Sequence, residues 1–522
     1  MHARLSRRHR RNGKIPLSEH ESHPPRRSGT GYGSSVALHK AGGTQARGSF
    51  VTRCGHFAAN SIDRRTRPEQ PHIRRYVSNQ RDPRRRTADR KGQKMQAPEG
   101  TLRGADQARR IAVREFLDKN ITGRGMCAYD SAVIAGNGIG ALAFAGWLAQ
   151  SPLFEGKVTV VAPPVVETRR LINGVTLRGR GVDFMSAALD TTLDDILEVI
   201  SGSAVAPPVA YRQAAAMAVR QGRSWQFTRR GYWQNALGAE RPISYGVRNS
   251  RVVGGMRELA SKLPIEFVDE KVESASHLRS LSAGRHPLLV NATTVPTLLG
   301  GAAKPPKRMV LGVQAPFIAS EGGVSYPLEA KTAFAPAVRR AGAIDVGYFT
   351  PFRDPLSPRS SWYGIYVRVV DRDAPYSKEA EHRIMTEQLF GVAHAMGLTP
   401  DDPEETLGRA LVPASPWGAV TPSAPGTLEL KRHYSGGTPV LYADGMVMSL
   451  VGGVVGAEAV LRGVNPDQAI RAALRPWRRH NLLWYVECNK IPFVSDMLLR
   501  ASPAAAMAYP HTAGLNLWAS GA

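Results

Sequence analysis

Residues 128–162 limit what this chain can fold into more than any other stretch. Ala128-Tyr-Asp-Ser-Ala-Val-Ile-Ala leads into Gly136-Asn-Gly138-Ile-Gly140-Ala141, then into Leu-Ala-Phe-Ala-Gly146-Trp-Leu-Ala149, and Lys157-Val-Thr-Val-Val-Ala162 follows. The spacing predicts a strand, a glycine-punctuated turn, a helix and a second strand, the layout of a dinucleotide-binding βαβ unit. Gly136 makes the tight turn, Gly138 lets a pyrophosphate approach the backbone, and Ala141 lets the helix lie close to the sheet. The helix start offers unpaired N–H groups and a positive dipole end to phosphates. Ala132–Ala149 has Asn137 as its one polar side chain and has the composition of a membrane span. Its four glycines argue against a continuous helix, and the phosphate loop explains their positions.

The formal charge of +26 is unevenly spread. Residues 1–125 hold 29 of the 69 basic and 10 of the 43 acidic residues, a net of +19, which leaves +7 for the other 397. The charge therefore describes the N-terminal segment and not the folded body, for which no nucleic-acid partner is expected. Rich in Arg, Ser, Gly, Pro and His, with Arg84-Arg85-Arg86 as one cluster, that segment (1–125) shows no sustained apolar period and is predicted to be disordered. Three readings compete for it: a targeting segment, a nucleic-acid tail, or an upstream extension with Met95 or Met126 as the working start. The last is preferred, because the segment lacks an apolar signal core and has few aromatics. Cys54, Cys127 and Cys488 are few and far apart. Neither a disulfide framework nor a metal site is expected, and a cytoplasmic setting is the default.

Beyond Pro163-Pro164, the run Glu167 to Phe184 carries Arg169, Arg170, Arg178 and Arg180, a basic loop either for anion contact or simply solvated. Residues 185–225 read mainly as helix, and so does Val252–Leu263. Ile265–Val268, Lys271–Ser274 and His286–Val290 read as strands, the last ending in Asn291-Ala-Thr-Thr294. Residues 308–430 alternate like strands, with helices expected over Lys378–Met396 and Glu404–Leu411. In Pro439-Val-Leu-Tyr-Ala-Asp444, a strand ends at an acid that can accept from a ribitol or ribose hydroxyl. A glycine-rich turn with Gly452 and Gly453 is expected to open another helix against a flat ring.

Together the first block, the Val290-Asn-Ala-Thr-Thr stretch and Ala443-Asp444 with Gly452-Gly453 resemble FAD-dependent oxidoreductases of the glutathione-reductase-like FAD-binding superfamily, and flavin monooxygenases most. The resemblance implies an α/β fold: a Rossmann-like FAD-binding domain, an inserted mixed-sheet α+β substrate domain and a helical C-terminal tail. FAD-binding parts would be 126–184, 246–300 and 431–475, with substrate-domain helices at 185–245, a substrate sheet at 301–430 and the tail at 476–522. It implies FAD contacts from Gly136, Gly138, Gly140, Ala141, Arg178, Asp444, Gly452 and Gly453. Two positions depart from the pattern. Ala162-Pro163-Pro164 stands where relatives place a ribose-binding acid, so ribose anchoring would come from the backbone or from Glu167, and Ala443 stands before Asp444 in place of glycine.

No second glycine fingerprint follows a strand, so electrons would come from NAD(P)H visiting the flavin or from a partner flavin reductase. That pattern implies a monooxygenase in which reduced flavin captures O2 and one oxygen passes to a small organic substrate. Tyr348, Phe352, Arg353 and Trp362 are the expected substrate contacts, an aromatic pocket with Arg353 meeting a carboxylate; strand packing is the simpler account of the same aromatics. No catalytic base is named. A halogenase, a prenyl-lipid reductase or cyclase, and a non-catalytic escort-type binding protein remain as alternatives. A Trp-x-Trp-x-Ile-Pro signature, the mark of flavin halogenases, is absent.

Overall fold

The computed structural model describes residues 99–123, 125–166, 169–170, 176–201, 209–211, 213–221, 224–228, 233–234, 244–295, 298–300, 308–319, 330–334, 344–373, 375–414, 423–431, 433 and 445–476. The chain opens with α1 (Glu99–Asn120), β1 (Ser131–Ala135), α2 (Ile139–Ala149) and β2 (Lys157–Val161). Next come β3 (Thr176–Arg178), α3 (Gly179–Leu189), α4 (Leu193–Ser201), β4 (Val209–Tyr211), β5 (Gln213–Gln221), β6 (Ser224–Thr228), β7 (Trp233–Gln234) and β8 (Ser244–Gly246). Then follow α5 (Asn249–Ala260), β9 (Ile265–Val268), α6 (Ala275–Ser280), β10 (Pro287–Asn291), β11 (Arg308–Ala319), β12 (Ala330–Phe334), β13 (Ile344–Pro351) and β14 (Trp362–Asp371). The described chain closes with α7 (Lys378–Ala395), β15 (Leu398–Pro400), α8 (Pro403–Thr406), β16 (Gly408–Ala414), β17 (Thr427–Leu428), α9 (Gly445–Leu461) and α10 (Pro466–Ala473).

A parallel sheet in the order β17-β10-β1-β2-β9 forms one module. Its three central strands, β10, β1 and β2, are buried on both faces, so they read as nearly unbroken apolar runs. The two-residue alternation still sorts them. Ala132, Ile134, Val158, Val160, Leu288 and Val290 face the larger core with α2 and α9, whereas Val133, Ala135, Val161 and Leu289 face Leu278 of α6 and Leu298. Helix α2 is buried from Ile139 to Leu148, which explains its membrane-like composition: a helix enclosed on every side needs no polar stripe. Among the described residues, no helix is long and apolar enough to cross a membrane.

A second, mainly antiparallel sheet runs β15-β11-β14-β13-β12-β5-β6, with β16 sharing the β11 edge and β7 paired to β5. Helix α7 covers one of its faces through Met385, Leu389, Val392 and Ala393, packed on Leu311, Val313, Phe317, Phe349, Trp362 and Tyr366. The molecule is thus a mixed α/β fold with one parallel and one antiparallel sheet.

Several expectations need correction. Residues 99–120 are not part of a structureless extension, because α1 buries Val113 and Leu117, with Ile121 just beyond it, at four-residue spacing and sets Phe116 edge-on to Phe184. The basic residues interleaved with this stripe hid its period. Within the expected helical stretch 185–225, the described residues 209–211, 213–221 and 224–225 belong to β4, β5 and β6 rather than helix: Ala- and Met-rich β5 pairs with β6 and β12, and tertiary pairing overrides helix propensity. The predicted helix at 404–411 stops at Thr406, and Gly408–Ala414 becomes β16 on β11. Lys271–Ser274 is no strand; Ser274 caps α6 by accepting from the His277 N–H at 3.1 Å. β17 joins the parallel sheet, so the expected boundary at 430 falls too late. Residues 1–98 and the tail from 477 lie outside the described residues.

Candidate functional site

The carboxyl ends of the parallel strands meet where strand order reverses around β1, the place at which open α/β sheets bind ligands. Gly136 holds φ at +106°, a left-handed region costly to side-chain-bearing residues. Its backbone lies against the loop after β10: an added Cβ would stand 3.1 Å from Ala292 C and O. The Gly136 N–H donates to Val161 O at 2.8 Å and the Ala292 N–H to Ala135 O at 2.9 Å, fixing the turn to both neighbouring strands. The first two blocks read from the sequence are therefore adjacent.

Gly138 is different. Among the described residues, a Cβ added there would meet nothing within 4 Å. Gly138 is also the N-cap of α2, where no side chain caps the helix and the first turn carries no acid. The leading N–H groups of a wholly buried helix are left for an external anion, favoured by the helix dipole. A pyrophosphate fits this cradle: backbone donors, a positive end, and room where a side chain would stand. Gly140 and Ala141 are buried in the first turn of α2.

Asn291 ends β10 and organises the second block. Its Nδ2 donates to Val295 O and to Glu429 Oε2, both at 2.8 Å. Its Oδ1 accepts from the Thr293 N–H at 3.0 Å and the Thr293 hydroxyl at 2.8 Å. Glu429, just past β17, is itself buried. Beyond it His433 Nε2 donates to Asp467 Oδ1 at 2.7 Å, and the Ser423 N–H donates to Oδ2 at 2.7 Å. Burial works to raise the Asp467 carboxyl, but the bonds from His433 and Ser423 outweigh it and hold the group below its ordinary value. Burial lowers the Lys431 ammonium from its usual range.

The third block is placed differently from the expectation. Helix α9 begins at Gly445, so Gly452 and Gly453 lie two turns inside it and do not form a turn that opens a helix. Gly453 is where α9 crosses α2: an added Cβ would stand 2.4 Å from Gly140 O and 3.0 Å from Ala143 Cβ. Gly453 serves close helix packing, for which the glycine-rich pattern is equally suited. Asp444 lies outside the described residues. Arg178 is the last residue of β3, paired in register with Ser244; its side chain is not described.

The expected substrate residues separate onto two faces of the antiparallel sheet. Trp362 is buried against α7, in the core of that layer. Tyr348 and Phe352 are buried on the opposite side, where Phe352 lies 5.9 Å from the Tyr363 ring. Tyr363 donates its hydroxyl to Gln314 Oε1 at 2.7 Å. Burial pushes that phenol well above its ordinary value, and Tyr348 adds to the shift, so it stays protonated as a donor. Thr350 stands in register across from Tyr363. It is fully buried, and its hydroxyl has no hydrogen-bond partner among the described residues. Arg353 is exposed; its neighbour Asp354 is buried and pairs with Arg248. Two-residue alternation along β14 is the signal that groups Tyr363, rather than Trp362, with Tyr348. Nothing in the sequence points to Arg248 or Glu429.

No family model matches the chain, and no curated protein matches it. Among solved structures, the fold is similar to that of FqzB at 12% identity and a TM-score of 0.44, covering 74% of this chain and 90% of that one. It is similar to a variant of the flavin-dependent brominase Bmp2 at 14% identity and 0.44, covering 75% and 94%. A Klebsiella pneumoniae HpxO variant complexed with FAD matches at 16% identity and 0.42, covering 75% and 93%.

Proposed function

We propose that this chain is an FAD-dependent oxidoreductase that acts as a monooxygenase on a small organic substrate. The observation that carries the reading is the α2 N-terminus, uncapped behind an unobstructed Gly138 while Gly136 is locked against the β10 loop. The backbone N–H groups of that turn and the helix end would hold the pyrophosphate, with Gly140 and Ala141 keeping α2 close. Asp444 and Arg178 are the further cofactor contacts proposed. When bound, FAD would supply two-electron redox chemistry and O2 activation. The protein's part is to orient the substrate and exclude water, for which the buried face carrying Tyr348, Phe352, Thr350 and Tyr363 is suited. On that face the hydroxyls of Tyr363 and Thr350 offer polar contacts. Arg353, being exposed, would meet a substrate carboxylate only from the outer side of its loop.

The electron donor is proposed to be NAD(P)H, directly or through a flavin reductase. One observation favours a second reading, a binding protein without redox chemistry: Ala162 is followed by Pro163 and Pro164, with no carboxylate at that strand end. Visible spectra of the protein with added FAD, then with NADH or NADPH under air, separate the two. Flavin that co-purifies or binds and is bleached by the nicotinamide supports a self-sufficient enzyme, and binding without bleaching supports a partner reductase. Well-folded protein that binds no FAD would leave the binding-protein reading.

A further inference from the structure

The connection after β2, described at residues 162–166 and 169–170, is fastened at two points by side chains the sequence does not advertise. At its start, Asn137 Nδ2 in the glycine turn donates to Pro163 O at 2.9 Å. Further along, Arg169 is held twice. Its carbonyl accepts from Arg248 Nη2 at 2.8 Å, and its guanidinium reaches Asp402 Oδ2 at 3.1 Å and Glu405 beside it on α8. Arg248 immediately precedes α5 of the parallel module and is 3% exposed, while Asp354, between β13 and β14, is 0% exposed. Arg248 Nε donates to Asp354 Oδ1 at 2.5 Å and Nη2 donates to Oδ2, a two-pronged fork. The Leu356 N–H adds a third bond to Oδ1 at 3.0 Å.

We propose that Arg248, Asp354 and the Arg169–Asp402/Glu405 pair are positioning residues that clamp the loop after β2 from the antiparallel module. The clamp holds in place the wall against which the adenosine half of a bound dinucleotide lies, and it stands in for the carboxylate absent after Ala162. This rests on the FAD reading above. The geometry favours positioning over simple cohesion. A fork fixes direction as well as distance, and the same guanidinium that grips Asp354 also grips the Arg169 carbonyl. An apolar contact of equal size would hold the modules together without specifying where residue 169 sits. The clamp also links the connection between β13 and β14, beside the proposed substrate face, to the cofactor crevice.

The test uses the full chain and two variants. Asp402→Asn/Glu405→Gln removes the exposed pair, which adds little to global stability and so leaves a folded protein. Asp354→Asn keeps the shape of the buried partner while removing its charge. Thermal melts verify folding, trypsin cleavage after Arg169 or Arg170 reads release of the loop, and quenching of flavin fluorescence gives the FAD Kd. The expected result is faster cleavage in both variants and FAD affinity weakened about tenfold, the loss of a preorganised wall. Faster cleavage with unchanged FAD affinity overturns the positioning role. Cleavage at the wild-type rate overturns the clamp itself. If the wild-type chain binds no FAD, the functional reading falls, and proteolysis alone then decides whether the clamp exists.

Discussion

Gly136 and Gly138 are two residues apart and do opposite work, which makes them separable by substitution. Gly136→Ala forces a side chain into φ +106° and 3.1 Å from the Ala292 backbone, so it should destabilise the fold by about 1–3 kcal/mol. Gly138→Ala meets nothing within 4 Å among the described residues and should leave the melting temperature nearly unchanged while weakening nucleotide binding about tenfold or more, because the added methyl occupies the approach to the backbone donors. Denaturant titration beside FAD titration distinguishes the pair. Lys431 offers a pH test in the absence of ligand. Its folded value is lowered by burial, so between that value and the unfolded one near 10.5 the unfolded chain binds more protons, and stability rises with pH. Below that window the penalty is fully present. Lys431→Met should therefore be more stable at neutral pH and lose the alkaline rise, as urea midpoints from pH 7 to 10.5 would show.

Among the helices, α2 and α9 form the apolar pair on which the crevice stands, and their approach is set by Gly453 over the Gly140 carbonyl. Gly453→Val should overpack that crossing and cost roughly 1–3 kcal/mol or more, and it should loosen the α2 N-terminus from behind. Helix α1 is the other element with a clear test. A chain begun at Met126 loses Val113, Leu117 and Ile121 from the core. Each is a burial of about 1.5–3 kcal/mol, so this chain should melt far below one begun at Met95, by calorimetry on both. The period-2 and period-3.6 patterns made β1, β2, β9, β10, β14, α5 and α7 legible in the sequence. They failed at β5, whose Ala-Ala-Ala-Met run has helical composition and is made a strand by its neighbours. They failed again at 408–414, where only the β11 edge supplies the reason for a strand. The glycines of α9 were legible as glycines but not as helix interior, because close packing and a ligand turn call for the same residue.

In the molecule as a whole, a parallel α/β module and an antiparallel sheet layer with α7 are joined by the buried pair of Arg248 and Asp354. The strand, glycine turn and helix at 131–149 were legible in the sequence, and Gly136 has a backbone reason to be glycine in its φ of +106° and its contact with Ala292. Asn291 was visible only as part of a block. Glu429, Arg248 and Tyr363 owe their places to long-range partners, and no local spacing encodes a partner 106 residues away, the separation of Arg248 and Asp354. The central claim is that the open cradle behind Gly138 binds the pyrophosphate of FAD. It is tested most directly by titrating FAD into the full chain and into Gly138→Ala, with both melting curves in hand. The account predicts saturable binding with flavin fluorescence quenching for the wild type and a clear loss of affinity in an equally stable variant. Equal affinity in the two proteins, or no binding by a folded wild type, would contradict it.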